Sequence, residues 1–421
     1  MANKWLYVSS NLSSTNNTYA QGTSGNEFSI EGSPNLSITE AATQSDTSVE
    51  YTVDDGYIRI SSNNIDNTST LNFRDYAANV GPAVSITANT TGVFEEGTSA
   101  TIASGSLINW NLVVGAGAHG DVLGPFIISA VLSESAGGTP TFVASRGSIN
   151  ALVTQATTEY VPFQARLTAD ELTDANVQYT LRYAPTISNL SVYVSSNDVA
   201  AASSVTLRDD AADTSLVASI TADTTGRFED NTNTTSVASG SEINYSITAG
   251  IDVMGGSVSV ENISAKSSST SKNLISHSVT NTFSFGTTSY SPISGSTVES
   301  TTESDAQCKP RFALSLRNLF FKVTANTIDG TTDVTVRVNA GNSALTQQVA
   351  SLTTGDFEDT ADTVAVASTD EINYSISTSG TLGTITIYSM GVEMFEVAAA
   401  PAAPLPSGGT VPHRMLLGVG L

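Results

Sequence analysis

A chain of 421 residues with a formal net charge of −24, from 16 basic and 40 acidic side chains, is ill suited to nucleic acid or an anionic membrane, which both recruit clustered Lys and Arg. Only 13% of the residues are charged, and Ser, Thr, Asn and Gly carry the polarity instead, a balance that favours strands and turns over helices. No run of 18 apolar residues is present to form a membrane-spanning helix, and one cysteine, Cys308, leaves stability to packing and backbone hydrogen bonds.

The start, Met1-Ala2-Asn3-Lys4-Trp5, lacks the apolar run of a signal peptide, so synthesis in a cytoplasm is expected. A leader to about Asp46 precedes the first β-like runs, Val49 to Val53 and Tyr57 to Ile60. Then come Phe73-Arg74-Asp75, the stretch Thr90-Thr91-Gly92-Val93-Phe94-Glu95-Glu96, the stretch Ala103 to Trp110, and a closing run from Phe126 to Val131. Gly115 to Gly120 fits G-x-G-x-x-G, but its flanks are β-like rather than strand and helix, so it is expected to be a turn. Thr168-Ala169-Asp170-Glu171 is the one helical signal, a capping-box start for a turn or two.

The same series then recurs twice. Val205 to Ile247 and Val334 to Ile376 align over 43 positions without a gap and share 21 identities, including TTG-x-FED and EINYSI. The marker phenylalanines Phe94, Phe228 and Phe357 stand 134 and 129 residues apart, a domain-sized period much longer than a solenoid repeat. Ile243, Tyr245 and Ile247 alternate with Asn244 and Ser246, which predicts strands with one face in a core and the other in solvent. The expected fold is all-β: three tandem antiparallel β-sandwich domains, jelly-roll-like, of about eight strands each. The expected divisions are 1–145 with the leader, 146–275, 276–397, and a Pro/Ala linker with an apolar tail at 398–421. Ser267 to Thr302, rich in Ser and Thr, is expected to be a loop or edge excursion, and the sandwiches to lie in a row as a rod or arc.

In the marker motif, Gly92, Gly226 and Gly355 are expected to make a turn with positive φ, and Phe94, Phe228 and Phe357 to plug one end of each sandwich. The acids that follow would face solvent or cap backbone N–H groups. Glu229, Asp230, Glu358 and Asp359 are also a weak calcium alternative, weak because the D-x-D-x-D-G spacing is missing. His119, His277 and His413 stand without a second His or Cys at ligand spacing, and no G-x-S-x-G elbow occurs. Tyr245 and Tyr374 are expected in the core rather than on a sugar-stacking platform. No catalytic residue, cofactor or metal is expected, and the chain is expected not to be an enzyme.

The pattern VT-L/V-R, a spacer, TTG-x-FED, then VAS-x-x-x-INY-x-I resembles repeat domains of tailed-phage virion proteins. The resemblance covers all three copies. It implies a jelly-roll-like module in a capsid-decorating or tail-associated protein, with other virion proteins as partners and a trimer as a possible state. Two other readings stand beside it: a receptor- or glycan-binding fibre protein, and a bacterial surface or filament subunit. After the linker, Met415, Leu417 and Val419 punctuate an apolar terminus expected to dock on a neighbouring subunit by adding a strand.

Overall fold

The computed structural model describes residues 3–10, 14–15, 25–28, 44–47, 50–76, 78–116, 122–124, 126–134, 141–146, 151–164, 172–251, 255–269, 272–294 and 300–396. The helical signal at Thr168–Glu171, His119, His413 and the whole tail with Met415, Leu417 and Val419 lie outside them.

The first third of the chain forms β1 (Asn3–Ser10), β2 (Ser14–Thr15), β3 (Gly25–Phe28), β4 (Ser45–Thr47), β5 (Tyr51–Ile60), β6 (Ser69–Asp75), β7 (Ala78–Ile86), β8 (Gly92–Glu96), β9 (Ala100–Ile102), β10 (Ser106–Val113), β11 (Val122–Leu123) and β12 (Phe126–Glu134). The second forms β13 (Thr141–Arg146), β14 (Ala151–Thr154), β15 (Thr158–Pro162), β16 (Tyr179–Thr180), β17 (Thr186–Asn197), β18 (Ser203–Asp209), β19 (Ala212–Ile220), β20 (Gly226–Ser236), β21 (Glu242–Thr248) and β22 (Ser257–Ser268). The third forms β23 (Lys272–Ser284), β24 (Thr288–Ser291), β25 (Leu314–Asn326), β26 (Thr332–Val338), β27 (Gly341–Val349), β28 (Gly355–Val366), β29 (Ile372–Thr378) and β30 (Thr384–Glu396).

Among the described residues, six large antiparallel sheets result, in three pairs with one wiring. The first sheet of each pair runs β1-β12-β5-β8, β13-β22-β17-β20 or β23-β30-β25-β28; the second runs β3-β10-β6-β7, β15-β21-β18-β19 or β24-β29-β26-β27. Counting strand positions within a pair, these orders are one-eight-three-six and two-seven-four-five, the double Greek key of a jelly roll. Each pair encloses its own apolar cluster. Trp110, Tyr245 and Tyr374 occupy one position on the seventh strand and are each at most 1% exposed. Trp110 meets Phe73 edge-to-face at 5.0 Å, a favoured aromatic geometry.

Several sequence expectations need correction. The divisions at 145 and 275 fall inside β13 and β23, because β13 takes its ladder from β22 and β23 from β30. Of the two expectations for the Ser/Thr-rich stretch after Ser267, the edge holds and the loop does not: it contains the end of β22, then β23 and β24, these two each the outermost strand of its sheet, since Thr and Ser pair readily in a ladder. The outward face of β21 is not wet: Asn244 is 0% exposed and donates at 2.5 Å to Oδ1 of Asp174, which opens a 3-10 turn ahead of β16. Finally, the sandwiches do not form a row, because residues of the first pack into the cluster of the third.

Candidate assembly surfaces

The marker motif forms the same turn three times. Gly92, Gly226 and Gly355 have φ of 111°, 115° and 123°, a region closed to side chains, and open β8, β20 and β28. The preceding turn is pinned by an asparagine that the sequence reading missed. Asn63 donates to the carbonyls of Thr87 and Thr90 at 3.1 and 2.9 Å. Asn197 does so to Thr221 and Thr224, and Asn326 to Ala350 and Thr353. Each Asn also accepts from the N–H two residues on, at Ile65, Val199 or Ile328. The available signal was a recurring Asn two residues before an aliphatic residue, at the same spacing as the phenylalanines.

Phe94, Phe228 and Phe357 are half-buried and lie within edge strands, opposite Ile58, Val192 and Phe321, rather than plugging an end. Strand period two turns their rings inward, where the open sheet edge leaves them part solvent contact. Phe357 stacks on Phe321 at 5.6 Å.

The acids after Phe divide their roles. Asp230 Oδ2 accepts the Val217 N–H at 2.9 Å, and Oδ1 accepts those of Thr232 and Asn233. Asp359 repeats this with Thr346, Ala361 and Asp362. Burial pushes the Asp230 carboxyl up, but the donors outweigh it, with the Asn233 amide foremost, and hold it at about 2. Lone pairs committed to N–H groups suit a structural cap better than calcium, which takes six to eight oxygens; among the described residues no three His, Cys, Asp or Glu gather as a metal site.

In the second sandwich the outer acid, Glu229, is exposed and accepts the Ser191 hydroxyl at 3.5 Å, whereas in the other two it faces a neighbouring sandwich. Glu358 of the third pairs with Arg182 of the second. Glu95, at the matching position of the first, pairs with Arg311 of the third at 2.8 Å, and Arg311 stands where Arg182 does in its own copy. Aromatic contacts follow the same rule. Phe320, on the outer face of β25, meets Tyr179 of the second sandwich edge-to-face at 5.6 Å. Tyr57, the matching residue of β5, enters the third cluster, whose Cys308 holds the register position of Tyr179. Tyr57 is 0% exposed; burial drives its phenol well above the ordinary range, while Arg59 opposes this.

A third element closes the set. Lys322 of the third sandwich donates to the Ala175 carbonyl of the second. Arg59 of the first donates to the Gln307 carbonyl of the third at 3.2 Å, and Arg227 of the second donates to the Gln44 carbonyl of the first at 3.1 Å. Third rests on second, first on third, and second on first. The joints therefore run in one cyclic order and close the sandwiches into a three-part ring. They are unequal. The third-on-second joint adds Glu393, 1% exposed, which accepts the Arg182 N–H at 2.6 Å and the Asn318 amide at 2.6 Å. The second-on-first joint lacks the arginine: the residue after Thr47 is Ser48, where Arg182 follows Leu181.

No family model matches the chain. No curated protein matches it either. Among solved structures, a chain from the triple jelly-roll fold and turret assembly of an archaeal virus aligns at 12% identity, covering 84% of this chain and 81% of that one, with a TM-score of 0.17. A chain from the atomic structure of Sulfolobus turreted icosahedral virus aligns at 12% identity over the same shares, with a TM-score of 0.16. The strand orders one-eight-three-six and two-seven-four-five themselves define the jelly rolls.

Proposed function

We propose that this chain is a structural subunit of a virus particle, an exposed decoration or appendage protein made in the host cytoplasm. The observation that carries the reading is the cyclic set of joints: each sandwich presents the outer face of its first sheet as a seat for the next. A module that builds a ring from copies of itself is suited to a symmetric shell or its outer fittings. The repeated acids serve capping and jointing, which favours architecture over catalysis. The net charge of −24 favours protein partners over nucleic acid. Those partners are other virion proteins and further copies of the chain, with the segment carrying Met415, Leu417 and Val419 as a strand lent to a neighbour.

The test is gold labelling of particles from the producing culture with antibody raised against the chain. Label on particles is expected, and weaker incorporation of a chain lacking residues 407–421. Label confined to cell surfaces or to particle-free protein overturns the assignment.

A further inference from the structure

The outer face of the second sheet of the third sandwich carries an open cleft of about 480 Å³, within the usual range for ligand sites of about 300–1,000 Å³. Its floor is Ser375 on β29 and Thr335 on β26, each 5% exposed; its walls include Tyr290 on β24, Asp333 and Arg337 on β26, and Thr346 on β27. We propose that this cleft binds a neutral saccharide.

The lining decides the ligand class. Hydroxyls, one carboxylate and one half-exposed aromatic ring offer no apolar seat for a lipid or a hydrophobic side chain. An anionic ligand is disfavoured because Arg337 is already engaged. It donates to both carboxylate oxygens of Glu303 and to Asn342 Oδ1. The net charge of −24 acts in the same direction. A neutral sugar supplies what remains: hydroxyl donors for a carboxylate that only accepts, and a C–H face for an aromatic ring.

The cleft is also preorganised. Arg337 lies over the Tyr290 ring at 5.6 Å, and the Tyr290 backbone exchanges two hydrogen bonds with Ser300, at 2.8 and 3.0 Å. Asp333 Oδ1 accepts the Gln348 amide at 2.8 Å, which orients the carboxylate. Such prior fixing lowers the entropy cost of binding a small polar ligand.

The second sandwich supplies an internal control. It keeps the aromatic pair, with Arg208 over Tyr160 at 5.2 Å. However, Ser204 stands at the register position of Asp333, and Val217 at that of Thr346. Without the acceptor, its matching face is expected to bind weakly or not at all.

The full chain is to be screened on an array of neutral hexose and N-acetylhexosamine oligosaccharides, and the best of these titrated by calorimetry. Tyr290→Ala and Asp333→Asn are each expected to weaken binding about tenfold or more, equivalent to about 1.4 kcal/mol. Tyr290→Phe, which keeps the ring and guards against a folding artefact, should retain binding, and Tyr160→Ala should change it less than about twofold. Absence of any neutral glycan ligand, preference for charged glycans alone, or affinity that survives Asp333→Asn would each overturn the proposal.

Discussion

Asp230 shows how a single side chain can look like a ligand and act as a strut. Its carboxylate holds β19 to β20 through the Val217 N–H and closes the bulge at Thr232 and Asn233. The folded value of about 2 lies below the ordinary 3.8, so the charged form is the one the fold prefers. Its stabilisation is complete above the unfolded value near 4 and is lost as pH falls towards 2, an effect of about 2 kcal/mol. The urea midpoint of the second sandwich is therefore expected to separate wild type from Asp230→Asn at pH 6 and to bring them together near pH 2. A separation that does not change with pH would contradict this assignment. The sequence allowed either capping or calcium here, because an Asp after a Phe serves both; only the positions of the N–H donors separate them. Leu352 marks the opposite difficulty. It adopts φ of 58° where the other copies have Asn89 and Asp223, residues that tolerate that conformation, so the sequence at this turn hides what its relatives declare.

The strands themselves were largely legible, because a period of two is a local signal that survives in sequence. Ile243, Tyr245 and Ile247 point into the core as their alternation implied. What alternation cannot tell is what covers the other side, and so Asn244 was expected in solvent although Asp174, 70 residues earlier, lies against it. The same limit misplaced the marker phenylalanine. A lone Phe after a turn gives no indication of whether its strand is central or at the edge, and β20 is an edge. Because Phe228 is half-buried, Phe228→Ala is expected to cost about 1–2 kcal/mol, below the 3–5 of a fully enclosed ring. The check is the urea midpoint of the second sandwich; a loss above about 4 kcal/mol would place the ring deeper than the edge position allows.

At the scale of the molecule, the period of the repeat was visible and the ring was not. Joints depend on residues scattered over the chain, Arg311 against Glu95 and Arg59 against Glu371, which no spacing rule connects. Arg311 also reaches Asp55 at 3.1 Å, so one guanidinium serves two acids of the first sandwich. Arg311→Ala is expected to raise amide exchange in β8 and around Cys308 while leaving the centres of β10 and β29 protected. Exchange that rises throughout the first and third sandwiches would mean that the joint and the cores are one cooperative unit. Because the three sandwiches are joined covalently, the ring also escapes mass action. Three separate subunits would fall apart on dilution, whereas tethered ones meet at an effective concentration on the order of millimolar, whatever the volume around them. A particle carrying such rings could be released into open water without losing them. Each position in the ring is also free to differ from the other two, as the third already does by carrying Asp333 in its cleft where the second has Ser204.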